Sequence, residues 1–430
     1  VDPQVAILLV SFFALLVFGT PIAVAIGVCA VLTLISMGDG PAFYTVAQRM
    51  STGIASFPLL AIPLFVLAGF LMGEGGMARR LVGLASAIVG RRRAGLAYVS
   101  TITCMLFGAI SGSAAAAVSS VGGMMIPEMA RKGYSRPLSV AIATTAATTG
   151  LIIPPSNIMI VYALVAGGVS VAAIFMAGVL PGILVGLAIM IACRFICPEE
   201  LDDDSCAQPS ILKTALDALP SLLLIIIVLG AILGGVCSPT EAAAVAVLYA
   251  FLLSVLVYRE IPLQNLPRIC LQTGITTSVI FFLIAASQAM SWVMTAENLP
   301  QTVSAALLGL SENRWVILII INLILLVVGA FMDMTPAVLI FTPIFLPIAV
   351  QLGMHPVHFG VMMIANLCIG LCTPPVGTCL FIGCGVGKTS ISQIVRPLTP
   401  LILAMIAAVA VIAAVPDLSL WLPRAMGLLE

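Results

Sequence analysis

With 430 residues, 62% of them hydrophobic and 8% charged, the chain carries too little charge for a soluble protein, in which about 25% of residues are charged. Its 17 basic and 17 acidic residues cancel, so there is no charge excess suited to nucleic acid. Runs such as LPSLLLIIIVLGAILGG are membrane helices in length and continuity, unlike the alternating segments of about ten residues in a membrane β-barrel.

The opening VDPQVAILLV has neither the basic segment nor the small-residue cleavage site of a signal peptide, and it reads as a first membrane helix. No Met stands first, so a few residues are expected to have been trimmed or replaced. Residues 4–37 fit one long tilted helix or two short ones broken at Thr20–Pro21, and two is the reading adopted. Residues 56–73 cross into the cytoplasm and leave GDGPAFYTVAQRMS outside. Five arginines within 79–93, and then Arg131, Lys132 and Arg136, mark cytoplasmic loops, because short loops rich in Arg and Lys stay inside. The apolar stretch 94–127 between them therefore starts and ends on one side. It is too short for two spans of about 20 residues each, and its middle, SGSAAAAVSSVGG, is small and polar. A re-entrant helical hairpin is expected.

Apolar segments follow at about 137–165, 170–195, 215–236, 241–258 and 268–295. Their connections alternate between linkers carrying Arg194, Lys213, Arg259 and Arg268 and the uncharged turns AGG and GVCSPT. Five crossings from a cytoplasmic start end outside. Ten spans, two hairpins and outside termini are expected. The longest polar stretch, 198–214, offers no room for an ATPase domain.

The chain repeats itself. TTGLIIPPSN, with Pro154 and Pro155, returns as CIGLCTPPVG with Pro374 and Pro375, an offset of 220 residues that also pairs Pro127 with Pro347 and Gly150 with Gly370. At 221, Arg93 pairs with Arg314 and Gly108 with Gly329. An odd number of crossings between the copies turns the second upside down. The expected fold is an all-α polytopic membrane protein, an inverted-topology repeat with two re-entrant helical hairpins and two proline-broken helices. Such breaks at matching places point to a transporter's binding site.

Two prolines in a row split a helix, with the second half expected to start near Pro155 or Pro375. The split frees carbonyls around Gly150–Pro154 and Gly370–Pro374 and aims amides near Ser156–Ile158 and Val376–Thr378 at the gap. Free carbonyls with hydroxyls suit sodium, and a half-helix N-terminus suits an anion. A plain proline kink is the competing explanation. The first hairpin tip carries Ser111, Ser113, Ser119 and Ser120, which serve either tight helix packing or an ion cage. The second tip, GAFMDMTPA, carries Asp333 and Thr335. An intramembrane carboxylate is a functional candidate, although a structural bond to a hydroxyl or amide would also hold Asp333. Glu241 in SPTEAAA fits the N-terminus of a helix. GCGVGKTS is no phosphate loop, because Ile382 stands where the first glycine belongs. Neither an HExxH nor a GxSxG motif is present, and no catalytic set emerges. The eleven cysteines lie almost wholly in apolar runs, where cysteine behaves as a small hydrophobe.

At FPLLAIPLFVLAGFLM (57–72), GAISGSAAA (108–116), GLIIPPSN (150–157), SPTEAAA (238–244) and GLCTPPVGT (370–378) the chain resembles the large membrane subunit, DctM, of the TRAP (tripartite ATP-independent periplasmic) transporters. The resemblance runs over essentially the whole length. It implies a sodium-driven importer with an elevator mechanism in the bacterial inner membrane, with Na+ as the coupling ion and no ATPase subunit. Its partners would be a small four-helix membrane subunit and a periplasmic binding protein that delivers an organic acid, such as a C4-dicarboxylate, a sugar acid or sialic acid. The transport domain would comprise 94–195 (hairpin 94–130, broken helix 137–165) and 313–415 (hairpin 315–354, broken helix 357–386). Residues 1–93 and 196–312 would be scaffold and 416–430 a tail. By similarity, one sodium site uses Gly108, Ser111, Gly150, Ile153 and Pro154, with Ser113 or a water supplying a ligand because glycine stands at 108. The other uses Gly329, Gly370, Thr373 and Val376. Ser156, Asn157, Asp333, Thr335 and Thr378 flank the gaps and are the candidate substrate contacts. Four further helices find no room here, so the chain is not expected to transport alone. A proton-coupled carrier or channel using Asp333 and Glu241 is the alternative.

Overall fold

The computed structural model describes residues 3–38, 42–89, 94–198, 211–311 and 313–429. The arginines at 91–93 and most of the polar stretch 198–214 lie outside the described residues. Among the described residues the structure is helical, and eight helices are long and apolar enough to cross a membrane.

Residues 4–37 form two helices, Pro3–Val17 and Ile22–Met37. The break falls at Thr20–Pro21, where Pro21 is extended and cannot continue the ladder. The stretch read as a hairpin is two helical arms, Gly95–Ser111 and Ala114–Arg131, folded back on each other at Gly112 and Ser113. The turn uses Gly112 at φ +61°, a conformation open to glycine. The second hairpin pairs Arg314–Phe331 with Met334–Gln351. Both proline pairs interrupt helices, giving Arg136–Thr149 with Asn157–Ala166, and Pro356–Gly370 with Thr378–Gly387. The second halves restart later than expected, at Asn157 and Thr378. Each proline pair is followed by a non-helical cap residue, Ser156 with an extended backbone and Gly377 at φ +44°.

Duplication extends well beyond the broken helices. In chain order, Pro3–Val17, Ile22–Met37, the 57–74 helix, Met77–Val89, the hairpin, the broken helix and Val171–Ile196 make the first copy. Ile211–Leu233, the 239–257 helix, Leu266–Ala296, Leu299–Leu310, the second hairpin, the second broken helix and Ile391–Ala414 repeat that order. Even the entry to the short helix after the third element is matched, by left-handed Gly76 and Asn298. Ala42–Ile54 and Asp417–Ala425 are additions, and the latter, within the expected tail, buries Leu420 against its neighbours.

The copies exchange partners. Ile22–Met37 packs on Leu266–Ala296 of the second copy, and Pro239–Phe251 of the second packs on Ala61–Glu74 of the first. Asn157–Ala166 lies on the second hairpin, and Thr378–Gly387 lies on the first. Among the described residues, five helical rods, the broken helix counted as one, lie between the first hairpin and the short helix Leu299–Leu310.

Candidate functional site

Each hairpin tip rests on the break of its own broken helix. In the first copy, a Cβ added to Gly108 would fall 2.7 Å from Gly150 Cα, and one added to Gly150 would fall 2.8 Å from the Gly108 carbonyl carbon. Only two glycines permit so close a backbone approach. The helix then tightens, with Leu151 N donating to Thr148 O and Ile152 N to Thr149 O, both at 3.1 Å. Among the described residues, the carbonyls from Gly150 through Pro155 accept no backbone hydrogen bond. Free backbone oxygen in an apolar setting is tolerated where it is buried in protein or lines a cavity.

At the tip, Ser113 Oγ accepts from Ala116 N at 3.2 Å and caps the second arm, while Ser111 Oγ donates to Ser113 O at 3.4 Å. Ser156 is completely buried, and neither its hydroxyl nor the Oδ1 of Asn157 meets a protein partner. Asn157 reaches the tip, its Nδ2 lying 2.9 Å from where a Gly112 Cβ would stand. Ile153 packs on Gly182 of Val171–Ile196. The structure thus brings together Gly108, Ser111, Ser113, Gly150 and Asn157, with Ile153, Pro154 and Ser156 along the same break.

The second copy has the same plan and different chemistry. A Cβ on Gly329 would fall 3.1 Å from Gly370 Cα, and one on Gly370 would fall 2.5 Å from Gly329. Val376 N and Gly377 N both donate to Ala330 O at 3.2 Å, tying the tip to the break. The Gly370 carbonyl, expected to be free, already accepts from Thr373 N at 2.9 Å, and the Leu371 carbonyl accepts from Cys379 N. Among the described residues, the carbonyls from Cys372 through Val376 accept no backbone hydrogen bond. Thr373 Oγ1 donates to Ile369 O at 2.8 Å, which leaves its oxygen lone pairs for another ligand. Asp333 caps the second arm's start without a capping bond of its own; instead Thr378 Oγ1 donates to its Oδ1 at 3.4 Å. Thr335 is half-buried in the first turn behind it.

The two sites differ in cover. Pro154 and Pro155 are buried, with Phe65, Leu224 and Ala246 of the flanking helices closing over Pro155 and Ile110. Pro375 is exposed, and Val376 is 37% exposed. Glu241 takes no part in either site. Its carboxylate accepts from Ser238 N at 2.7 Å and Ser238 Oγ at 2.8 Å, and Ser238 Oγ accepts from Glu241 N at 3.3 Å, a reciprocal capping box.

Reading single segments misses what joins the copies. Cys368 Sγ donates to Thr148 O at 3.2 Å, and Cys372 Sγ to Thr144 O at 3.5 Å. These bonds connect the two broken helices, and the only hint of them is that buried threonines and cysteines recur one turn apart.

Two tip-on-break sites in a duplicated helical fold define a membrane transport protein. The sequence pattern of the family described as "Tripartite ATP-independent periplasmic transporter, DctM component" matches residues 9–418. The chain belongs to this family. It is 50% identical to the uncharacterized protein YgiK of Salmonella typhimurium over 97% of both chains. It is 39% identical to the isethionate TRAP transporter permease protein DctMQ of Oleidesulfovibrio alaskensis over 96% of this chain and 65% of that one. To the C4-dicarboxylate TRAP transporter large permease protein DctM of Rhodobacter capsulatus it is 36% identical over 96% of this chain and 98% of that one. The fold is similar to that of the YdaH transporter of Alcanivorax borkumensis, with a TM-score of 0.63 at 15% identity over 89% of this chain and 88% of that one. The family consists of permease subunits, and the chain is not an enzyme.

Proposed function

We propose that the chain is the carrier subunit of a sodium-driven importer of an organic acid in the bacterial inner membrane. It works with a small four-helix membrane subunit and a periplasmic binding protein. The observation that carries this reading is the doubled site, a hairpin tip seated on a helix break that exposes consecutive free carbonyls. In the first site, the carbonyls of Gly150, Ile153 and Pro154 with the Gly108–Ser111 tip would hold one sodium ion. In the second, the Thr373 hydroxyl and nearby carbonyls, with Gly329, Gly370 and Val376, would hold another. Sodium takes neutral oxygen ligands, and the half-helices beginning at Asn157 and Thr378 turn their positive ends toward the same region. Ser156, Asn157, Thr335 and Thr378 then face an anionic cargo, with Asp333 at the rim.

An organic acid fits both the half-helix dipoles and the relatives named for isethionate and C4-dicarboxylates. Sugar acids and sialic acid belong to the same chemical class. Hairpins re-entering the bilayer from opposite faces, and a transport body that slides as an elevator, suit the interlocked copies.

The test is uptake by proteoliposomes holding both membrane subunits, with the binding protein added outside. Accumulation should require an inward sodium gradient and fall when Ser111→Ala or Thr373→Ala is introduced. Accumulation indifferent to sodium would sink the reading. Loss of coupling in Asp333→Asn, with both hydroxyl variants unaffected, would favour a proton-coupled carrier.

A further inference from the structure

The second hairpin and its broken helix share a polar pair that the first copy lacks. Asn366, 4% exposed, stands one turn before Gly370 on the same helix face. Its Nδ2 donates to Asn322 Oδ1 at 2.8 Å and to the Asn322 carbonyl at 3.0 Å. Asn322 Nδ2 donates in turn to Leu318 O at 2.8 Å. Asn322 lies about two turns before Gly329 in Arg314–Phe331. The pair therefore occupies the same seam as the Gly329–Gly370 contact.

At the matching positions the first copy has Thr101 and Ala146. Thr101 Oγ1 turns to Ala97 O of its own helix at 2.8 Å, and Ala146 has no side-chain donor. That seam is held from outside. Gly178, Gly182 and Gly186, four residues apart on Val171–Ile196, receive the Ile152 carbonyl with Met159, then Ile153, then Met105. Gly69 admits the Ser111 carbonyl on the opposite side, at 2.8 Å from its would-be Cβ. The second copy has no such clamp, since Ile391–Ala414 contains no glycine.

We propose that Asn322 and Asn366 are positioning residues for the second cation site. Their hydrogen bonds set the register of hairpin 2 on broken helix 2, and with it the distance from the tip to the Thr373 hydroxyl and the free carbonyls. The Oδ1 of Asn366 is buried without a protein partner, a cost that an aliphatic side chain would avoid. Positioning explains the pair better than stability does. The inference rests on the reading of the tip-on-break geometry as a sodium site.

The experiment compares wild type with Asn322→Leu/Asn366→Leu, a double change that leaves no amide unpaired. Sodium-dependent thermal stabilisation of the purified chain is titrated against potassium at equal ionic strength, and sodium half-saturation of uptake is measured in the complete transporter. The double variant should melt near wild type in potassium and need about three- to tenfold more sodium in both assays, as expected for an interhelical polar pair in a membrane protein. Thr101→Val, at the matching position in the first copy, should leave half-saturation unchanged. Identical sodium half-saturation in wild type and double variant overturns the proposal, and so does an equal shift in Thr101→Val. A wild type with no sodium-specific response fails differently, because it removes the sodium site itself.

Discussion

Tyr162 of the first copy packs its ring against Gly360 of the second, where a Cβ would fall 2.6 Å from Tyr162 Cζ. The fully buried tyrosine also donates from its hydroxyl to Pro356 O at 2.7 Å. Val140, which the repeat pairs with Gly360, in turn fills the space left by Gly383 and Gly387 of the other copy. Bulk on one copy thus meets glycine on the other, twice. Packing of this kind ties the two broken helices together, as the proposed elevator motion would require.

The interlock is testable by a double-mutant cycle. Gly360→Ala forces the ring out of place and should cost about 1–3 kcal/mol, the range for overpacking a core. Tyr162→Phe should cost about 1 kcal/mol for its one hydrogen bond. Tyr162→Leu with Gly360→Ala should lose less than the sum of its single changes, with a coupling of at least about 0.5 kcal/mol in thermal unfolding. Strict additivity would show that the two residues do not bear on each other.

The glycine contacts at the breaks should rank by what the added methyl meets. Gly108→Ala and Gly150→Ala each drive Cβ into the backbone of the other residue, which cannot rotate away. Both variants should reach the membrane and lose uptake by more than about tenfold, a shift of about 1.4 kcal/mol in a binding or transition energy. Gly329→Ala, whose nearest contacts are 3.1 and 3.3 Å away, should be milder. Uptake in Gly329→Ala falling as far as in Gly150→Ala would contradict this ranking.

Ser238 and Glu241 should matter to folding alone. Ser238→Ala removes a cap and should cost about 1 kcal/mol, within the usual 0.5–2 kcal/mol range. Glu241→Gln keeps an acceptor for the Ser238 amide and should cost less. Neither should change the ratio of sodium to substrate in flux measurements. A changed ratio in Glu241→Gln would return that carboxylate to the transport path.

Much of this was legible in one sequence. The proline pairs, the hairpin tips and the Thr20–Pro21 break are set by residues that act on their own backbone, so local chemistry reveals them. The exact restarts at Asn157 and Thr378 were not legible, because they depend on how Ser156 and Gly377 cap the second halves. Nor was the exchange of partners between copies. Tyr162 and Gly360 lie far apart in sequence, and neither is unusual in its own segment. The Gly370 carbonyl was expected to be free, but the turn that follows engages it through Thr373 N. The clamp of Gly178, Gly182 and Gly186 depends on which residues lie opposite, which no single segment reveals.

One contact outside both sites separates charge from packing. Glu260 receives Arg79 at 2.7 Å and Arg80 at 2.9 Å, and Arg80 also stacks 3.5 Å from the centroid of the Tyr258 ring. Arg79, Arg80 and Tyr258 line a cleft of about 450 Å³ together with Asp217 and Pro220. Arg79 is 69% exposed, so its half of the pair is screened by water and salt. Arg80 is 20% exposed and also donates to Gly76 O at 3.1 Å. Glu260→Gln should therefore lower stability by less than about 1 kcal/mol, and high salt should shrink the difference. Arg80→Ala should cost more and keep most of its effect in high salt, because the lost ring contact and stem packing are not screened as an exposed ion pair is. Thermal unfolding of both variants at low and high salt decides the matter. Equal salt sensitivity in the two would mean that charge alone holds this turn.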